Sequence, residues 1–158
     1  MIVRLHGFVL VVFGRLPRRV RRVVVRTIAP SYTVGALCVI EHDGHIVLIR
    51  QRYRNRWGLP GGLLMRNEQP ADAARREVRE EIGLDVDLVG DPTVVVEPDV
   101  RRVDVVYRAR PSGEETGLTC ASPEIVAAEW HSIASLPEVQ PETRSAIEAL
   151  GLPHRRAR

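Results

Sequence analysis

The sequence contains no lysine, and all 23 of its basic residues are arginine. That removes lysine nucleophiles and Schiff-base chemistry from the functions open to it. Cysteine is scarce as well. Cys38 and Cys120 are the only two, and they stand at no metal-ligand spacing. Each is expected to be a buried thiol in a reducing, cytoplasmic compartment rather than half of a disulfide. Long apolar runs are missing. Gly7 to Phe13 is far below the ~20 residues needed to span a bilayer. The segment Arg15-Leu16-Pro17-Arg18-Arg19 offers no small-residue cleavage site of the kind that ends a signal peptide. Internal repeats are absent. The first 40 residues also lack acids: seven arginines give +7, while sixteen arginines and twenty acids give residues 41–158 a charge of −4, which together make +3.

What is present is a chain of 158 residues, the length of one domain with a proper core. A basic arm, residues 1–31, precedes a mildly acidic body, residues 32–150, and a short tail, residues 151–158, expected to be disordered. The arm reads as two short helices, about 2–14 and 17–28, broken near Gly14 and Pro17. In the second, Val20, Val23, Val24 and Ile28 form a stripe flanked by arginines. Such an arm is expected to pack on protein, at a homodimer interface in preference to its own body, because one short helix cannot bury the stripe alone. The lesser alternative is contact with an anionic membrane as a peripheral basic amphipathic helix. Nucleic acid is the least favoured partner, because no aromatic interleaving or binding motif accompanies the charge.

Along the body, residues 32–41 read as a strand, His42-Asp43-Gly44-His45 as a hairpin turn, and Ile46–Ile49 as the returning strand. Arginine then occupies every second position from Arg50 to Arg56. This is a solvated edge, or else Arg50 or Arg52 contacts a substrate phosphate, since guanidinium matches phosphate oxygens bidentately. Further strands are expected at 85–90, 93–97, 103–110 and 125–130, with a polar loop at 111–119 and a closing helix at 141–150. Strands interrupted by single helices fit an α+β fold with a mixed sheet flanked by helices.

The chain is organised around residues 62–84. Trp57-Gly58-Leu59-Pro60-Gly61-Gly62 bars a regular element and allows close backbone approach. Pro70 suits a first helical turn. Ala71, Ala74, Val78 and Ile82 recur at helical spacing, and Gly83 sits where a C-cap belongs. The spacing therefore predicts a helix over 70–82 with one face buried. Glu77, Glu80 and Glu81 share an arc roughly 100° wide on it. Three carboxylates so placed repel one another. They are either a solvated face screened by Arg75, Arg76 and Arg79, or a site for hard divalent cations, which favour clustered oxygen ligands.

The whole spacing resembles the Nudix box: glycine, five residues, glutamate, seven residues, then R-E-U-x-E-E-x-G-U, where U is bulky and aliphatic. Here it reads Gly62, Glu68, Arg76-Glu77-Val78, Glu80-Glu81, Gly83-Leu84, so nine specified positions match over 23 residues. The segment from Pro123-Glu124 through Glu129-Trp130 and Leu136-Pro137 to Pro141-Glu142-Thr143 resembles the C-terminal half of bacterial Nudix hydrolases. The likeness covers residues 32–150 and leaves the arm unexplained.

The resemblance implies an α/β/α sandwich in which the box forms a loop–helix–loop. It implies hydrolysis of a nucleoside diphosphate linked to a group X, with water attacking phosphorus in the presence of Mg²⁺ or Mn²⁺. Glu80 and Glu81 would be the main metal ligands, and Glu77 a third ligand or the base that orients water. The Gly62 carbonyl would complete the ligand set. Arg76 would hold a catalytic carboxylate and Glu68 would brace the loop. Glu124 is a candidate ligand from outside the box or an exposed loop acid. Trp57 and Trp130 could stack on a base, although tryptophan in a small domain is more often core. A catalytically inactive nucleotide-binding module of the same fold is the alternative, and the complete set Glu77, Glu80 and Glu81 speaks against it. The box leaves X open. Pro98 weakly favours ADP-ribose, and the compact body suits a (d)NTP equally.

Overall fold

The structure is a computed structural model that describes residues 13–152. The chain divides into two compact units, Met1–Tyr32 and Thr33–Arg158. In the first, helix α1 (Arg18–Ile28) begins directly after Pro17 and ends at Ala29, whose extended backbone stops the spiral. Residues 2–12 of the first expected arm helix, and residues 153–158 of the expected tail, lie outside the described residues.

The second unit begins with a strand whose residues are apolar on both faces. In β1 (Thr33–His42), Ala36 to Ile40 are all buried. Such a run can only sit in the middle of a sheet covered on both sides. The other strands are β2 (His45–Gln51), β3 (Gly61–Leu63), β4 (Val86–Glu97), β5 (Arg102–Pro111) and β6 (Ile125–Ser132). Their order is β4-β5-β1-β2-β6, with β3 also paired to β1. The β1–β5 pair is parallel and the remaining pairs are antiparallel, so the sheet is mixed. Asp43 and Gly44 both take positive φ at the β1–β2 turn, 45° and 74°, as a two-residue hairpin loop of primed type requires.

Two helices close the sandwich. Helix α2 (Pro70–Ile82) sends Ala73, Ala74, Val78 and Ile82 against Ala36, Cys38 and Ile40 of β1. Helix α3 (Pro141–Ala149) sends Ala146 and Ile147 against Leu37 and Val39 on the other face. The period-two alternation of β1 thus supplies both layers. Trp130 packs, partly buried, at the edge of the α2-side cluster and Trp57 at the edge of the α3-side cluster.

Two expectations are corrected. The segments expected at 85–90 and 93–97 join as one long strand, β4, which begins at Val86 and whose register against β5 shifts between Val89 and Thr93. Gly90 at φ 69° and Pro92 interrupt the pattern without ending the pairing. Cys120 is exposed, whereas Cys38 is fully buried. Burial pushes the Cys38 thiol up to about 12, so it is chemically inert at neutral pH.

Candidate active site

The residues between Trp57 and Ile82 form a loop, a short strand and a helix that bring the box side chains together. Strand β3 lies antiparallel on β1, with Gly62 opposite Ala36. Helix α2 ends at Gly83, whose left-handed φ of 68° and N–H to the Arg79 carbonyl complete the C-cap. A side chain there would also run into Thr119. Across from β3, a Cβ on Gly62 would lie 2.5 Å from Glu77 Oε1. Glycine is therefore what lets the Glu77 carboxylate approach the loop.

Arg76 organises the acids. Its Nε and Nη2 donate to the two oxygens of Glu68, at 2.7 and 3.0 Å. Its Nη1 donates to Glu77 Oε1 at 2.8 Å and to Glu80 Oε2 at 3.1 Å. Glu68 Oε2 also accepts the Met65 N–H at 2.7 Å, so this carboxylate ties the loop to the helix. Hydrogen bonds from Arg76 and then from Met65 hold the Glu68 carboxyl below its usual range. The Arg76 guanidinium is held above its usual value, foremost by Glu68.

Glu81 stands apart from this network. It is 8 % exposed, and its Oε2 accepts the Gly61 N–H at 2.8 Å. Burial raises its pKa from 4.5 to about 8. The Gly61 hydrogen bond opposes that rise, and the charges of Glu77, Glu124 and Glu80 add to it. A buried carboxylate among three others is a local excess of negative charge.

Glu77, Glu81, Gly62 and Glu124 line one cleft of about 390 Å³. The structure thus brings Glu124 from the β6 side to two of the box acids. Glu80 instead lies on the exposed flank, paired with Arg76. Among the described residues, no three carboxylate, imidazole or thiolate groups already converge as a coordination set. The donor chemistry nonetheless suits a hard divalent cation. Oxygen ligands dominate, and a partly neutralised buried acid is what an added positive charge would relieve.

Cations also line the cleft, but they are not the two expected from the sequence. The Arg50 guanidinium lies 5.6 Å from the Trp57 ring centroid. Arg52 donates through Nε and Nη2 to the Pro123 carbonyl, both at 3.3 Å. Neither is in the cleft wall; Arg54 and Arg102 are. Arg54 pairs with Glu142 and donates to Gln140 Oε1 at 2.8 Å. Arg102 uses Nε to grip both oxygens of Asp104, at 2.9 and 2.7 Å. Asp104 is 2 % exposed and sits opposite Gly35 in the β1–β5 register, where any side chain would collide with it. The Nη1 and Nη2 edge of Arg102 has no hydrogen-bond acceptor among the described residues. The sequence carried no local signal for this residue, because its place depends on the pairing of Asp104 with Gly35.

The NUDIX domain family matches residues 30–150. The chain belongs to the Nudix family. It is 37% identical over 106 residues to a MutT-like protein of Streptomyces ambofaciens, covering 66% of each chain. It is 32% identical over 130 residues to an 8-oxo-dGDP phosphatase of Danio rerio, covering 79% of this chain and 39% of that one. The chain therefore spans no more than about two thirds of the length of these relatives. Among solved structures, a MutT NUDIX hydrolase from Burkholderia pseudomallei is 28% identical with a TM-score of 0.64, covering 77% of this chain and 99% of that one. An ADP-ribose pyrophosphatase from Streptococcus suis is 27% identical with a TM-score of 0.62, covering 77% and 89%.

Proposed function

We propose that the chain is a divalent-metal-dependent pyrophosphohydrolase. It would cleave the diphosphate bond of a nucleoside diphosphate linked to X by water attack on phosphorus. The observation that carries this reading is one cleft lined both by the carboxylates Glu77, Glu81 and Glu124 and by Arg102 and Arg54, the latter paired with Glu142. Acids alone would repel a diphosphate, and arginines alone would bind it without activating water. A cation, held by Glu77, Glu81 and Glu124 with the Gly62 carbonyl, would supply charge neutralisation and acidification of the attacking water.

The chain's own residues supply position and charge. Glu68 fixes Arg76, and Arg76 fixes Glu77 and Glu80, so the helix acids are held before substrate arrives. Gly61 N–H fixes Glu81. The free edge of Arg102 is placed to take oxygens of a phosphate outside the reacting bond, while Asp104 keeps it from folding away. Of the expected substrates, a (d)NTP and ADP-ribose both present two or more phosphates to this wall. The relatives above include proteins named for an oxidised nucleotide and for ADP-ribose.

The test is product release from a panel of (d)NTPs, oxidised nucleotides and ADP-ribose with Mg²⁺ or Mn²⁺. Nucleoside monophosphate release that stops on chelation supports the reading. Full turnover in excess chelator removes the metal from it. Tight nucleotide binding without turnover would make the chain a binding module.

A further inference from the structure

Helix α1 is amphipathic, with nothing polar left open on its apolar side. At about 100° per residue, Val20, Val23, Val24, Thr27 and Ile28 fall within an arc of roughly 140°. Arg18, Arg19, Arg21, Arg22 and Arg26 occupy the rest, with Val25 among them. Thr27 Oγ1 donates within the helix, to the Val23 and Val24 carbonyls at 3.1 and 2.9 Å. Its hydroxyl is thereby satisfied, and its methyl group is left to the stripe. No residue of the helix is buried; Val23 is 61% and Ile28 79% exposed.

Three occupants can be weighed by their chemistry. A second copy of the helix would bring five arginines against five more, with no carboxylate on either helix to separate them. Its stripe is also short, about 12 Å from Val20 to Ile28 at 1.5 Å per residue, too small a surface to reach the ~1,200 Å² that a stable interface buries. Nucleic acid would take the arginines and leave the valines in water. An anionic lipid surface satisfies both faces at once. Acyl chains receive the stripe, and headgroup phosphates receive guanidinium groups that match them bidentately. The absence of any acid among the first 40 residues means that nothing on the arm opposes that attraction.

We propose that α1 is an interfacial helix that lays this chain on an anionic lipid bilayer, in the plane of the surface. No described helix is long and apolar enough to cross a membrane. The proposal stands independently of the hydrolase reading, because it uses no residue of the cleft.

The experiment is co-sedimentation of the full chain with vesicles of phosphatidylcholine alone, and of phosphatidylcholine mixed with phosphatidylglycerol. Binding is expected to the mixed vesicles only, and should weaken in high salt as charge is screened. Val24→Asp should lower vesicle affinity at least about tenfold by placing a charge in the stripe. Val25→Ser, on the arginine side, should bind like the unmodified chain. Both variants should keep its melting temperature and far-ultraviolet dichroism, which separates lost binding from lost folding. No binding to the mixed vesicles, equal binding to both vesicle types, or unchanged binding by Val24→Asp would overturn the proposal. A dimer by light scattering that Val24→Asp converts to monomer would assign the stripe to a second copy instead.

Discussion

Glu81 meets two opposing demands, to stay buried beside the loop and to carry charge when a cation is present. The first governs the metal-free protein. Its carboxyl has a pKa of about 8 folded against 4.5 as a free side chain. Between those values the folded state binds the extra proton, so stability falls as pH rises through that window. The loss is on the order of a few kcal/mol if all of the shift is expressed. Thermal melts of the metal-free chain should drop between about pH 5 and pH 8, and Mg²⁺ should recover much of the drop at the upper end. Glu81→Gln, which has no proton to lose, should flatten the metal-free profile and remove the Mg²⁺ response. A profile identical to that of the unmodified chain would place the charge problem on another residue. Arg102 gives a second prediction. Arg102→Ala should raise KM for the preferred nucleotide about tenfold and change kcat less, as expected for a contact outside the reacting bond. It also leaves Asp104 buried and unpaired, so a lowered melting temperature accompanies it. Arg102→Lys should restore stability better than it restores KM, because a point charge can pair with Asp104 without offering a planar fork to phosphate. The box acids were legible in the sequence because their spacing is local, within one helix. Arg102 was not, because its place in the cleft depends on Gly35 of a strand far away in the chain.

At the scale of one element, α2 shows how a glycine sets the position of an acid. A Cβ on Gly62 would meet the far end of the Glu77 side chain, at 2.5 Å from Oε1. That end can swing aside at small cost to folding, but it then leaves its place beside Arg76. Gly62→Ala is therefore expected to lower kcat by roughly 10²-fold, the scale on which misplacement of about 1 Å is felt. Its urea midpoint should stay close to that of the unmodified chain. A large loss of stability with kcat retained would show that the glycine serves the turn and not the carboxylate. The helix itself was legible from Pro70, the apolar recurrence and Gly83. Of the alternating arginines before it, the cleft wall includes Arg54 and not Arg50 or Arg52. Alternation gives every second residue one face, but a register irregularity between Arg50 and Gln51 at the end of β2 breaks the rule where the run begins. Arg54 turns into the cleft, while Arg50 and Arg52 find partners in Trp57 and the Pro123 carbonyl.

The whole molecule separates at Tyr32/Thr33 into an arm and a body. All the residues of the cleft lie in the body. A chain beginning at Ser31 should therefore keep kcat, KM and the melting temperature of the body while losing anionic vesicle binding. Loss of turnover with the body still folded would give the arm a part in catalysis. The sequence by itself determined the family, the helix bearing the acids, the hairpin and the charge division between arm and body. Each of these is written in neighbours along the chain, through spacing, turn residues or composition. Only the tertiary structure decided that β1 lies parallel to β5, that the 85–90 and 93–97 segments join as β4, that Cys120 is exposed, and which cations face the carboxylates. These depend on pairings between residues tens of positions apart. The pairing of Gly35 with Asp104 is set by packing a two-faced strand between two helices, and no local pattern encodes it.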